Sequence, residues 1–227
     1  MINYRGLDIP FVSFGNVTSD DLFADKEQAL FDLYDDRRGQ YRNALDIGAN
    51  IGVHSILMAR NGWNVKAYEP DPVHYGLALE SIWHNGVTVE LHDNAVSDHD
   101  GVETFVHVKG NTTGSHLKGD KQPYGELHEF TVNVVDCRPL WEWADFAKID
   151  CEGHEARLLL TVTREQAAWL DCVVEVGNAK NAELIFNHCR SIDWPMWAQQ
   201  HEWRRVDRME DMPTHHSHGA LLLGSAR

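Results

Sequence analysis

Blocks of apolar and polar residues alternate along most of the chain and predict strands and helices in turn. From Arg42 onward, strand patterns occur at NALDIG, NVKAYEP, VTVELHDNAVS, FAKIDCEG and DCVVEVG. Helical patterns separate them at HSILMARNG, PVHYGLALESIWHNG, HEARLLLTVTREQAAWL, with a break near Thr161, and NAELIFNHCRSI. This order is typical of a mostly parallel sheet with helices on both faces. The last strand patterns, EWRRVDRM and HGALLLGSA, have no room for a helix between them, so we expect a terminal antiparallel hairpin.

Two regions depart from this alternation. Residues 1–40 contain an amphipathic pattern that predicts a helix beginning near Ser19 or Asp20. Residues 102–137 hold two strand patterns, VETFVHVKG and FTVNVVDC, around a polar loop. We therefore expect an N-terminal helical extension over 1–40 and an α/β domain over 41–227 that carries a β insertion near 102–137.

The first motif follows the first strand of the α/β region. Asp46 ends that strand, and Gly48, Asn50 and Gly52 form the turn after it. Glycines permit a tight turn and let a ligand approach the backbone. Glu69 ends the next strand, where a carboxylate can accept two hydrogen bonds from a ribose diol. The motif predicts a site for an adenosine-like group at the carboxyl ends of the strands.

The chemistry of this turn favours one adenosine cofactor over another. Dinucleotide sites typically carry GxGxxG and place a pyrophosphate at a helix N-terminus, whereas this chain has GANIG. A carboxylate at Asp46 would repel a pyrophosphate and attract the cationic end of S-adenosylmethionine. S-adenosylmethionine is therefore the favoured cofactor, and a nicotinamide-dependent oxidoreductase is the alternative.

The second motif is AKIDCEGHEARLLL, residues 147–160. Asp150 is expected to end a strand and face the cofactor pocket, with Glu152 and His154 on the following turn. Glu155 is expected to begin a helix in a structural role, because acids are favourable at helix N-termini. Together with LDIGANIGVHS, YEPDP and NAVSDHDG, this motif resembles the signatures of the FkbM-type S-adenosylmethionine-dependent methyltransferases. The resemblance extends over roughly Asn43 to Val176.

The resemblance implies a class I methyltransferase fold, Rossmann-like, and methyl transfer to a hydroxyl oxygen of a small molecule or sugar. By that resemblance, the methionine part of the cofactor is expected at the turn formed by Asp46, Gly48, Asn50 and Gly52, and the ribose is expected at Glu69. The adenine is expected near Asn94 and Ala95, and the reaction end near Asp150 and Glu152. Residues 109–129, which would select the acceptor, have no clear family pattern. Nitrogen, carboxylate and protein acceptors therefore stay open as alternatives.

A hydroxyl acceptor gains from a base that takes its proton. His154 is the first choice because imidazole can be neutral at pH 7, and Asp150 and Glu152 are the alternatives. A divalent ion is a further alternative, since Asp150, Glu175 and Asn178 lie at strand ends and offer the oxygen ligands that magnesium or calcium prefers.

Other polar segments and the tryptophans have weaker functional interpretations. His215 and His218 in THHSHG could bind zinc or copper, but a polar loop is the favoured interpretation. Asn111, Thr113 and Ser115 could contact the acceptor or simply form a hydrophilic loop. The tryptophans at positions 141, 143, 194, 197 and 203 are expected to be packing residues.

Composition narrows the partners and the location. The formal net charge is −15, from 20 basic and 35 acidic residues, which disfavours nucleic acid and anionic membranes as partners. No apolar run is long enough for a membrane span, and the N-terminus lacks a signal-peptide pattern. The four cysteines form no CxxC pair and are expected to be free thiols in a reducing cytoplasm.

Overall fold

The computed structural model describes residues 2–4, 6–15, 17–122 and 124–225. Six α-helices lie within these ranges: α1 (Asp25–Asp36), α2 (Val53–Arg60), α3 (Pro72–His84), α4 (Arg138–Trp143), α5 (Glu155–Leu159) and α6 (Ala179–Ser191). The strands are β1 (Ile2–Tyr4), β2 (Leu7–Ile9), β3 (Asn43–Ile47), β4 (Asn64–Tyr68), β5 (Glu90–His92), β6 (Ala95–Ser97), β7 (Gly101–Lys109), β8 (His116–Leu117), β9 (Glu126–Asp136), β10 (Phe146–Ile149), β11 (Asp171–Glu175), β12 (Met196–Ala198), β13 (Arg204–Arg205) and β14 (Ala220–Leu223). No helix in these ranges is long and apolar enough to cross a membrane.

Eight strands form the central sheet, in the order β13-β12-β14-β11-β10-β3-β4-β5. The five strands from β11 to β5 are parallel to one another. β14 runs antiparallel to both β11 and β12, and β12 forms an antiparallel hairpin with β13. The mostly parallel α/β sheet with a terminal antiparallel hairpin is therefore confirmed.

Helices cover both faces because the inner strands are apolar on both sides. Leu45 and Ile47 of β3 pack with Ile185 of α6 in one buried cluster. Ala44 of the same strand belongs to a second cluster with Phe31 of α1 and Ile56 of α2. Near-continuous apolar strands of this kind are typical of parallel sheets buried on both faces.

The N-terminal extension is attached firmly to the sheet. The Arg37 guanidinium, at the end of α1, lies 2.9 Å from the Asp171 carboxylate at the start of β11, and both side chains are buried. The Tyr41 hydroxyl donates to the same carboxylate at 2.5 Å. These contacts, together with the shared apolar cluster, fix α1 against the central sheet.

The β insertion forms a separate sheet of four strands in the order β6-β9-β7-β8. β7 pairs with β9 over the full length of β7, from Gly101 opposite Val134 to Lys109 opposite Glu126. A small core of its own joins Phe105, Leu117 and Val132. The insertion is thus a second layer beside the central sheet rather than an extension of it.

Three predicted elements need correction. The predicted helix from Ser19 begins at Asp25, because Ser19–Phe23 forms a separate 3₁₀ turn closed by the Asp21 carboxylate, which accepts the Thr18 N–H at 2.7 Å. VTVELHDNAVS is not one strand, since its halves join different sheets as β5 and β6.

The third correction concerns the terminal hairpin. EWRRVDRM contributes only β13, which pairs with β12 rather than with the last strand. The partner of β14 is β12, whose residues Met196 and Ala198 are buried while the arginines of β13 are exposed. The apolar segment β12 therefore takes the buried position beside β14, and the polar segment β13 takes the exposed edge.

Candidate functional site

A cavity with about 230 Å³ of accessible space, open to solvent, lies at the carboxyl ends of β3, β4, β10 and β11. Two other parts of the chain complete its walls. The N-terminal extension contributes Leu22 and Glu27, and the β insertion contributes Phe105, Thr113 and Leu117. The position is the one at which open parallel sheets bind ligands.

The turn after β3 forms one side of this cavity. Gly48 has φ +79°, and a Cβ there would lie 1.8 Å from the carbonyl oxygen of Asp150. Only glycine fits this position, and the close approach brings the two sequence motifs into contact. Asn50 also has a positive φ, of 52°, and Gly52 with φ +85° is the residue before α2.

The N–H groups of this turn are largely used within the protein. Those of Gly48 and Ala49 both donate to the Tyr68 carbonyl at 3.0 Å, and that of Gly52 donates to the Ala49 carbonyl at 2.8 Å. The Asn50 N–H donates to Oε2 of Glu69 at 2.8 Å. A carboxylate, rather than an external anion, therefore occupies the turn.

Glu69 lies at the end of β4, lines the cavity and is 6% exposed. Its Oε1 accepts the N–H of Asp71 at 2.9 Å, so a backbone donor holds each carboxylate oxygen. Burial raises the pKa of Glu69 to about 8. Each oxygen keeps a further lone pair that a ligand hydroxyl can use.

Asp46 lies below the cavity rather than in its lining. It is fully buried, and its Oδ2 accepts the Ser55 hydroxyl at 2.5 Å. Lys148, the residue beside it on β10, places its Nζ 3.5 Å from Oδ1 of Asp46. The sequence predicts that Asp46 attracts the cationic end of S-adenosylmethionine; in the structure Asp46 does not line the cavity, and the buried Lys148 ammonium lies beside its carboxylate.

Lys148 connects the two motifs. Its Nζ donates to the Gly48 carbonyl at 2.9 Å and lies 3.5 Å from Oδ2 of Asp150. Burial works against the charge, but the carboxylates of Asp150 and Asp46 outweigh it and raise the pKa of Lys148. Sequence reasoning missed this residue, although a lysine inside an apolar strand pattern was a signal for it.

Four acidic side chains gather around the carboxyl ends of β10 and β11. Glu27, Asp150, Glu152 and Glu175 all line the cavity. Glu27 lies 3.0 Å from the His54 ring, and Glu152 pairs with Lys121. Burial and the nearby Asp150 raise the pKa of Glu152 to about 7 and raise that of Glu175 well above its usual value. Such a group of acids suits a cationic ligand. No sequence pattern indicated that Glu27, on α1, would line the site.

His154 is 1% exposed and lines the cavity. Its Nδ1 lies 2.7 Å from Oδ2 of Asp120, and its Nε2 lies 3.2 Å from the Ser97 hydroxyl. Both ring nitrogens are therefore engaged, which suits a positioning role better than a free base. Glu155 begins α5 as expected, and its carboxylate accepts the N–H groups of Cys151 and Gly153.

The remaining expected site residues divide between the cavity and other places. Ala95, Thr113 and Ser115 line the cavity, whereas Asn94 and Asn111 do not. Asn178 caps α6 by accepting the Asn181 N–H at 2.9 Å, so its oxygen is already used. Within the described ranges, no cluster of three or more His, Cys, Asp or Glu residues is arranged to hold a metal ion.

The other histidines and tryptophans fall largely outside this cavity. In the THHSHG segment, His215 accepts the N–H of Ser217 and His218 accepts that of Thr214. Trp141 and Trp194 are fully buried packing residues, and the Trp143 ring lies under the Lys66 ammonium. The four cysteines are free thiols, as expected.

No family model and no curated protein sequence matches this chain. Solved structures do match it. Precorrin-6y C5,15-methyltransferase from Geobacter metallireducens has a TM-score of 0.50 at 10% identity, over 98% of this chain and 95% of that one. Precorrin 8w decarboxylase from Methanobacterium thermoautotrophicum has a TM-score of 0.45 at 12% identity, over 98% and 94% of the two chains.

A tRNA (uracil-54, C5)-methyltransferase from Pyrococcus abyssi is also similar, with a TM-score of 0.45 at 16% identity. The match covers 87% of this chain but only 37% of that enzyme. At such low identities the likeness concerns the fold alone. The chain has the Rossmann-like fold of class I methyltransferases, and its activity has to be argued from the site.

Proposed function

We propose that this protein is an S-adenosylmethionine-dependent methyltransferase that acts on a hydroxyl oxygen of a small molecule or sugar. The observation that carries the proposal is the placement of Glu69. A buried carboxylate, held by the N–H groups of Asn50 and Asp71, lines the cavity at the end of the second parallel strand. That arrangement suits a ribose diol.

The glycine turn supports S-adenosylmethionine over a dinucleotide. A pyrophosphate needs free N–H groups at the start of the helix. Here the N–H groups of Gly48, Ala49, Asn50 and Gly52 are all used by acceptors within the protein. These four residues of the turn therefore offer a pyrophosphate no free N–H group.

The charge distribution supports the same cofactor. With the ribose at Glu69, the apolar residues Val96, Phe105 and Leu117 offer an environment for the adenine. The methionine part would then extend toward Asp150 and Glu175, whose carboxylates favour its ammonium and sulfonium groups. The FkbM resemblance supports oxygen as the methyl acceptor, and product analysis separates it from nitrogen, carboxylate or protein acceptors.

The test is calorimetric titration of the purified protein with S-adenosylhomocysteine and, separately, with NAD. We expect micromolar binding of the first and none of the second. Binding of NAD alone would overturn the proposal. A titration with and without magnesium tests the metal alternative, and we expect the same affinity in both because no metal cluster is formed by the described residues.

A pair of variants makes the titration specific to the site. Glu69→Gln should weaken S-adenosylhomocysteine binding by roughly 1–3 kcal/mol, through loss of charge-assisted hydrogen bonds. Glu183→Gln, an exposed position on α6, serves as the matched control and should leave the affinity unchanged. Equal affinities for all three proteins would remove Glu69 from the site.

A further inference from the structure

A second, smaller cavity adjoins the first at its acidic end. It is narrow, with about 40 Å³ of accessible space, and lies between α1, the ends of β10 and β11, and the loop before β14. Four side chains line both cavities: Glu27, Lys148, Asp150 and Glu175. These four residues therefore form the boundary between the two spaces.

The second cavity is well placed for the acceptor if the proposed function holds. The ribose and adenine positions occupy the part of the large cavity near Glu69 and Phe105, so the sulfonium lies toward Asp150 and Glu175. Displacement at the methyl carbon requires the nucleophile on the side opposite the sulfur. The second cavity borders the four boundary residues on the side that the cofactor would not occupy.

The base candidates from the sequence are already committed to partners. The Asp150 carboxylate lies 3.5 Å from the Lys148 ammonium, Glu152 pairs with Lys121, and both nitrogens of His154 are hydrogen-bonded. His216 differs from them. It lines the second cavity, and in the described part of the chain its ring has no hydrogen-bond partner, only a ring contact with His215 at 3.8 Å between centroids.

We propose that the acceptor hydroxyl binds in the second cavity and that His216 takes its proton. The acceptor oxygen forms a bond to the methyl carbon while the carbon–sulfur bond breaks, and the sulfur keeps that electron pair as a neutral thioether. The hydroxyl proton moves to a ring nitrogen of His216. Because His216 is exposed, the imidazolium can then release the proton to water.

The surroundings of His216 favour its neutral form. Partial burial lowers its pKa, and the adjacent His215 lowers it further, with smaller contributions from Lys121, Lys26 and His218. A neutral imidazole at pH 7 is the form that can accept a proton.

The lining also restricts the class of acceptor. Three carboxylates, those of Glu27, Asp150 and Glu175, line the second cavity, and Lys148 is shared between Asp46 and Asp150. Lys26, at the rim, donates to the Ser217 carbonyl. With three acidic and two lysine side chains in the lining, hydroxyl and amine groups find more hydrogen-bond acceptors there than a phosphate finds donors, so we infer a small uncharged or amine-bearing polyol as the acceptor.

The acceptor class is tested with S-adenosylmethionine labelled in its methyl group. The full-length protein is incubated with small-molecule cell extract separated by anion exchange into a neutral-plus-cationic fraction and an anionic fraction. We expect labelled product from the first fraction only. Labelling confined to the anionic fraction, or absent from both in a protein that binds S-adenosylhomocysteine, overturns the assignment of the second cavity. Absence of S-adenosylhomocysteine binding would instead overturn the proposed function.

The base is tested with the active fraction and three variants. His216→Ala should lower turnover at least 100-fold while leaving S-adenosylhomocysteine affinity unchanged, and added imidazole should restore part of the rate. His201→Ala, at an exposed position that lines neither cavity, should stay within about threefold of the unchanged protein. If His216→Ala keeps its rate, or Glu152→Gln alone loses it, His216 is not the base.

Discussion

The cofactor turn and the second cavity are built in contrasting ways. The turn joins residues from two neighbouring strands through backbone donors, as when the Asn50 N–H meets the Glu69 carboxylate at 2.8 Å. The second cavity combines Lys26 and Glu27 of α1 with Lys148 of β10 and His216 near the chain's end. Contacts between residues close in sequence can be recognised as a motif, whereas contacts between distant segments become visible only in the folded chain.

The largest effect should come from the turn. Gly48→Ala would place a Cβ 1.8 Å from a backbone oxygen of Asp150 and require φ +79° of an alanine, so we expect several kcal/mol of destabilisation or loss of folding. Gly62→Ala is the matched control, because φ there is +86° but no atom lies within 4 Å. It should cost only about 1 kcal/mol by urea unfolding, and equal costs would contradict the close approach.

The buried ammonium at the boundary should have the next largest effect. Lys148→Met leaves the fully buried Asp46 uncompensated, and we expect a loss of about 3–5 kcal/mol in the free energy of unfolding. Adding Asp46→Asn should recover part of that loss, because the unpaired charge is removed. A double variant no more stable than the single one would show that Lys148 does not act through Asp46.

A smaller effect is expected where the insertion meets the second motif. Asp120→Asn weakens the contact with His154, whose Nδ1 lies 2.7 Å from the Asp120 carboxylate, and should cost about 1.5 kcal/mol by urea unfolding. Asp93→Asn, at an exposed position, should cost almost nothing. If both variants unfold alike, the Asp120–His154 contact does not hold the insertion in place.

The last prediction concerns the dependence of stability on pH, an effect spread over several pH units. The pKa of Glu69 is raised from 4.5 to about 8, so the folded protein binds the extra proton and its stability falls as pH rises from about 5 to 8. One such group contributes a slope of at most about 1.4 kcal/mol per pH unit. Glu69→Gln should flatten the measured slope by that order. An unchanged slope would mean that Glu69 is already ionised in the folded protein.

Local contacts could be predicted from the sequence, and contacts between distant segments could not. Gly48 and Glu69 were recognisable because a positive-φ turn and an acid at a strand end leave fixed residue types at short spacing. The single strand predicted over VTVELHDNAVS was wrong because only the folded chain assigns its halves to different sheets. Glu27 joined the site through helix packing, which no local pattern records.

The way Glu69 is held links cofactor binding to protons. Its carboxyl group, with a pKa of about 8 in the empty cavity, is largely protonated at pH 7. Ribose hydroxyls donate to the ionised form and so favour it, which means that binding expels a proton into the buffer. The calorimetric enthalpy of binding should then follow the ionisation enthalpy of the buffer, and two buffers of different ionisation enthalpy suffice to count the proton.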